Sequence, residues 1–141
     1  MTTPQTKPRP GPMKLTDAMQ YRLPLAGIVS ILHRVSGLAL FVLLPFIIWL
    51  FDLSVSSEVS FERFTSVFSV GVGPLPGVLV KLVVLGIIWA YLHHFIAGVR
   101  HLWMDATHSV TKEHGHSSAV VTAVASLALT ALLGAKLFGL Y

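Results

Sequence analysis

Three long apolar runs dominate the chain, and its polar residues collect between them. The first lies within Leu25 to Leu53 and is most purely apolar from Gly37 to Phe51. The second lies within Val78 to Met104, uncharged from Leu82 to Val99, and the third within Ala119 to Leu140, interrupted only by Lys136. A helix that crosses a bilayer needs ~20 mostly apolar residues at ~1.5 Å rise each, so every run is long enough. The pattern predicts an all-α membrane protein with three transmembrane helices, spanning residues 25–53, 78–104 and 117–140. Residues 1–24 then form a tail and residues 25–141 one transmembrane anchor domain. The stretch DLSVSSEVSFERFTSVFSVGVGPLPG, between the first two spans, ends in glycines and prolines that suit a loop. The segment ATHSVTKEHGHSS joins the second and third. There is no internal repeat and no room for a separate soluble domain.

Composition sharpens this reading. A chain of 141 residues that is 54% hydrophobic and only 11% charged departs from the usage of soluble domains. It has no cysteine, which excludes a disulfide framework, a thiolate metal site and a cysteine-held iron–sulfur cluster in this chain. The net charge of +4 does not point to nucleic acid, because the basic residues form no continuous stripe. They sit beside the apolar runs instead, where they bear on topology. Lys7, Arg9, Lys14, Arg22, Arg34, Arg100 and Lys112 fall on one side of the predicted spans; Arg63, Lys81 and Lys136 fall on the other. Positive charge favours the cytoplasmic side, so the N-terminus and the second loop are expected there. Trp49 and Tyr141 would lie at the outer interface, Tyr21 and Trp103 at the inner one. The Pro-rich tail has neither the apolar core of a secretory signal nor the amphipathic pattern of a mitochondrial transit peptide. A bacterial inner membrane is therefore expected, rather than the mitochondrial one.

Candidate chemistry concentrates in HHFIAGVRHLWMD, residues 93 to 105. Ionisable groups near membrane depth are costly and mark something the chain must hold or move. On a helix His94, Gly98, His101 and Asp105 share a face, while His93 points about 100° away with Ala97 and Arg100. Gly86, Ala90, His94 and Gly98 form a stripe of mostly small residues, as do Ser126, Thr130 and Gly134 on the third span. Such stripes let helices, or a flat cofactor, approach the backbone, and helix packing is the commoner cause. A histidine on such a groove suits an axial haem ligand, with His101 about 10 Å nearer the cytoplasm and able to meet a propionate. A histidine bonded to a neighbouring helix explains the same position. A second cluster, SILHRVSG at 30 to 37, puts Ser30 and Arg34 on one face with His33 beside them. A hydroxyl and a guanidinium together can donate to a quinone carbonyl. Arg34 snorkelling to the interface accounts for the spacing equally well.

Together these segments resemble the cytochrome b anchor subunit of succinate dehydrogenase, the succinate:quinone reductase of respiratory complex II. The resemblance rests on Arg9-Pro10, YRLP at 21 to 24, SILHRVSG at 30 to 37 and HFIAGVRHLWMD at 94 to 105. It runs from the tail through the second span; the third span matches only as an apolar helix. After Arg9-Pro10 the chain reads GPMKLTDAM where many relatives carry SPHL, a departure that touches no site residue.

The resemblance implies that this chain packs beside a second three-helix membrane-anchor subunit around one shared haem b. It implies His94 as the axial iron ligand, Ser30 and Arg34 as quinone-binding residues, and His33, Arg34 and His101 as contacts of the haem propionates. An iron–sulfur subunit and a flavoprotein subunit are the implied partners, the iron–sulfur clusters and FAD lying only in them, with ubiquinone as electron acceptor. No residue of this chain is expected to be catalytic alone: it has no GxGxxG and no flavin motif. His108, His114 and His116 read as loop residues. The rival readings are the anchor of a quinol:fumarate reductase and a cofactor-free small transporter or assembly protein. A two-haem anchor wants further intramembrane histidines, which the first span (His33 alone) and the third (none) do not offer. A transporter wants polar groups near the midplane, whereas here they gather toward one end.

Overall fold

A computed structural model describes residues 23–141, together with Gly11 and Thr16 in the tail. The expectations for Lys7, Arg9, Lys14, Tyr21 and Arg22 fall outside the described residues. Three long helices carry the structure: α1 (Leu25–Val55), α3 (Gly77–Thr107) and α4 (Lys112–Leu137), with a shorter α2 (Glu58–Ser69) between the first two. The three long helices are those with the length and hydropathy to cross a membrane. At 31 residues each, α1 and α3 extend about 46 Å, more than the ~30 Å hydrocarbon layer, so their ends reach the headgroup zone.

The helices run longer than the apolar runs that announce them. Helix α4 begins at Lys112 rather than near 117, because Thr111 caps it by accepting the His114 backbone N–H. His114 and His116 are thus helical, and only His108 sits in the turn, in the left-handed conformation that ends α3.

The predicted loop between the first two spans is itself structured. Ser57 and Ser60 close a reciprocal cap that starts α2. Phe64, Val67 and Phe68 lie on its half-buried face. A two-residue antiparallel ribbon follows, pairing Gly71 with Pro76 and Val72 with Leu75. Gly71 has φ 104°, and a side chain there would collide with the Leu75 carbonyl, so this corner requires glycine.

Packing is inside-out relative to a soluble protein. Large apolar side chains face outward, Phe41 at 74% exposure among them, and suit contact with acyl chains. The interior is made of small and polar residues: Val29, Ser36, Ala97, Ala119, Thr122, Ser126 and Thr130. Helix α3 is central and packs against both α1 and α4. The stripe Ala119, Thr122, Ser126, Thr130 and Gly134 is the buried face of α4, so on that helix the small residues serve helix approach. Its hydroxyls find backbone carbonyls within the helix, and Ser126 is also within reach of His93 on α3. Thr122 donates to the Ser118 carbonyl, Ser126 to Ala123 and Thr130 to Ser126. On α3, by contrast, Gly86 is exposed and meets nothing.

Candidate functional site

The neighbours His93 and His94 have opposite fates. His93 is 2% exposed and faces the centre of the bundle. Its Nε2 donates to the Val29 carbonyl of α1 and its Nδ1 pairs with the Ser126 hydroxyl of α4, each at 3.4 Å. The Trp89 indole stacks on the ring, centroids 5.3 Å apart. His93 thus ties all three long helices together and has no nitrogen to offer a ligand.

His94 is half-buried in the groove between α3 and α1. Its Nδ1 donates to the His33 carbonyl at 2.9 Å, with the Ser36 hydroxyl at 3.5 Å. That bond selects the tautomer whose Nε2 carries the lone pair, and Nε2 has no partner among the described residues. A backbone carbonyl behind Nδ1 is also what orients a metal-bound imidazole and raises its basicity.

Gly37 explains how the ring fits. A Cβ on Gly37 would lie 2.6 Å from His94 Cε1 and 3.0 Å from Nδ1. Only a bare backbone lets α1 pass this close to the imidazole. We expect Gly37→Ala to displace the His94 ring, shifting the absorption bands of any group it ligates. Unchanged bands would show that the fit at Gly37 is not required.

His33 stacks on His94 with centroids 4.3 Å apart and planes within 12°. The His101 ring lies 5.1 Å from that of His33, tilted by 46°. Gly98 lies beside this arrangement, and a Cβ there would be in ordinary contact with His33 Nε2, at 3.5 Å. Of these histidines, only His33 and His94 present ring faces to each other, and no three ligating side chains among the described residues converge as a metal site. The donor set therefore fits a group bound through one imidazole, with His33 and His101 as flanking polar contacts.

Ser30 is half-buried and Arg34 exposed, four residues apart on α1 and next to this cluster. The structure brings His33, His94 and His101 together, whereas Ser30 and Arg34 are linked to them through the helix rather than by direct hydrogen bonds. Two other contributors were not singled out by spacing. Ser36 donates to the His33 carbonyl that also holds His94, and Gly37 is described above. Both lie inside SILHRVSG, but their role depends on which α3 residue faces them. Asp105 is exposed at the end of α3.

A family model described as the succinate dehydrogenase/fumarate reductase transmembrane subunit matches residues 5–133, nearly the whole chain. The chain belongs to this family. It is accordingly a multi-pass membrane protein. Its relatives include the succinate dehydrogenase cytochrome b556 subunit of Paracoccus denitrificans, 33% identical over 112 residues, covering 79% of this chain and 81% of that one. The subunit of the same name from Coxiella burnetii is 31% identical over 118 residues, 84% of this chain and 90% of the relative. That from Rickettsia felis is 26% identical over 113 residues, 80% and 82% respectively.

Proposed function

We propose that this chain is the membrane-anchoring cytochrome b subunit of a succinate dehydrogenase, sharing one haem b with a second anchor subunit and forming part of the ubiquinone-reduction site. The observation that carries the reading is the state of His94: Nδ1 held by a backbone carbonyl, Nε2 free, the ring seated on Gly37. The relatives' shared name, cytochrome b556, supports haem b as the group, and the same name supports succinate oxidation over fumarate reduction.

In this reading His94 Nε2 would hold the haem iron, and His33, Arg34 and His101 would meet its propionates, whose negative charge their side chains can match. When bound, the haem supplies a one-electron store. Ser30 and Arg34 donate hydrogen bonds to one quinone carbonyl, and the guanidinium favours negative charge developing on that oxygen during reduction. Uptake of two electrons and two protons completes the quinol. The flavin and iron–sulfur chemistry belongs to the soluble partners, which dock on the basic cytoplasmic face. The excess of basic residues at the end shared by Arg34, Arg100 and Lys112 supports that orientation and a bacterial inner membrane.

The test is to purify the chain from native membranes with its partners, identify them, and record reduced-minus-oxidised spectra on adding succinate. Co-purification with a flavoprotein, an iron–sulfur protein and a second anchor, with a b-type spectrum, is the expected result. Absence of a Soret band would return a cofactor-free membrane protein to the front.

A further inference from the structure

A cleft of about 430 Å³ opens between α3 and α4 at the end of the bundle that carries Arg100 and Lys112. It does not belong to the histidine groove: Arg100 lies about 120° around α3 from His94. Its walls are mainly apolar, from Ile96, Val99 and Val121, and its rim is formed by Trp103, His114 and Ser118. Arg100 lines it as well, although its side chain is only 8% exposed.

The guanidinium is a buried cation whose hydrogen bonds go to neutral groups. Nε donates to the Ser118 hydroxyl at 2.9 Å and Nη2 to the Gly115 carbonyl at 3.1 Å. Arginine has five N–H donors, so further ones remain for the cleft. A buried charge without a counter-charge is costly, and no carboxylate among the described residues relieves it: Asp105 and Glu113 are exposed and neither lines the cleft. The first turn of α4, beside it, adds the positive end of a helix dipole. The missing partner is therefore an anion. An apolar trench that continues from a cationic rim, with a tryptophan 67% exposed at that rim, matches an amphiphile lying at interfacial depth.

We propose that this cleft binds an anionic phospholipid, its phosphate on Arg100 and one acyl chain along Ile96, Val99 and Val121. The site does not depend on the haem or quinone reading. Bound lipid would complete the α3–α4 contact that Arg100 begins, so its loss loosens the bundle without changing the histidine groove.

The experiment uses the complex purified from membranes, washed in detergent and analysed for lipid retained per complex. It is then titrated with phosphatidylglycerol, phosphatidylcholine, inorganic phosphate or a short-chain ubiquinone while thermal unfolding is followed. Phosphatidylglycerol is expected to be retained and to raise the melting temperature, with the other additives ineffective. Arg100→Gln should weaken retention roughly tenfold, the factor given by loss of one charge-assisted hydrogen bond. Because that variant also severs Arg100 from Ser118, Val121→Trp provides a second arm. Val121 is 65% exposed, and an indole there fills the trench while leaving Arg100 untouched. It too should lose phosphatidylglycerol. Equal stabilisation by phosphatidylcholine or phosphate, displacement by the quinone, or wild-type retention in Val121→Trp would each overturn the proposal.

Discussion

Replacing His94 by leucine is expected to remove or alter the b-type absorption bands of the purified complex, whereas His93→Leu should leave the bands and weaken the bundle. The two residues are adjacent and chemically identical, so the difference must come from their surroundings. His94 keeps Nε2 free while its Nδ1 is held by the His33 carbonyl. Leucine cannot coordinate iron, so the bands should be lost or shifted even if the other anchor subunit still holds the group. His93 instead bridges α1 and α4 through both ring nitrogens. Removing those bonds is expected to cost about 1–2 kcal/mol, since each contributes about 1 kcal/mol or less in a membrane interior. Thermal denaturation followed through the haem band reads both effects in one sample. If the bands vanish in His93→Leu and persist in His94→Leu, the ligand assignment fails by one residue.

The second large effect is expected at Arg34. Arg34→Gln should slow quinone reduction by about 10- to 100-fold, the range for losing a hydrogen bond from a charged donor to a developing negative oxygen. Succinate oxidation measured with a soluble electron acceptor should stay close to wild type, because those electrons leave before reaching the membrane. Arg34 is exposed, so its truncation leaves no cavity in the bundle. Ser30→Ala should move in the same direction by a smaller factor, as a neutral donor is lost. Parallel loss of both activities would mean that Arg34 serves assembly rather than the quinone.

Much of the architecture is legible in one dimension. Three helices can be counted from the apolar runs because lipid leaves a chain few options: backbone groups must bond within their own segment, and bilayer thickness sets the length. The small-residue stripe on α4 is equally readable, since spacing of four places Ser126, Thr130 and Gly134 on one face. Helix α2 was open to the same kind of reading. Phe61, Phe64 and Phe68 recur at helical intervals, and Ser57 with Ser60 supplies the start signal. It is too short and too polar to span, and the glycines and prolines after it make the whole segment resemble a loop. Interfacial helices of this kind give weaker signals than spans because only one face needs to be apolar.

The histidine groove lies at the limit of that method. Helical periodicity separates His93 from His94 by about 100° but cannot say which direction meets a neighbour. The rotation of α3 against α1 and α4 is set by side-chain packing, and packing chose to bury His93, Ala97 and Arg100. It follows that Arg100, which spacing alone assigns to topology, becomes an inter-helix link beside an open cleft. Likewise Gly37 is one glycine among several until its distance to the His94 ring is known. The amino-acid order determined the number of spans, their approximate positions and the residue types available near each end, because those follow from chain-local hydrophobicity and hydrogen bonding. Which imidazole nitrogen stays free, and which cation lacks a counter-charge among the described residues, was decided only when three helices met, because both depend on groups distant in sequence.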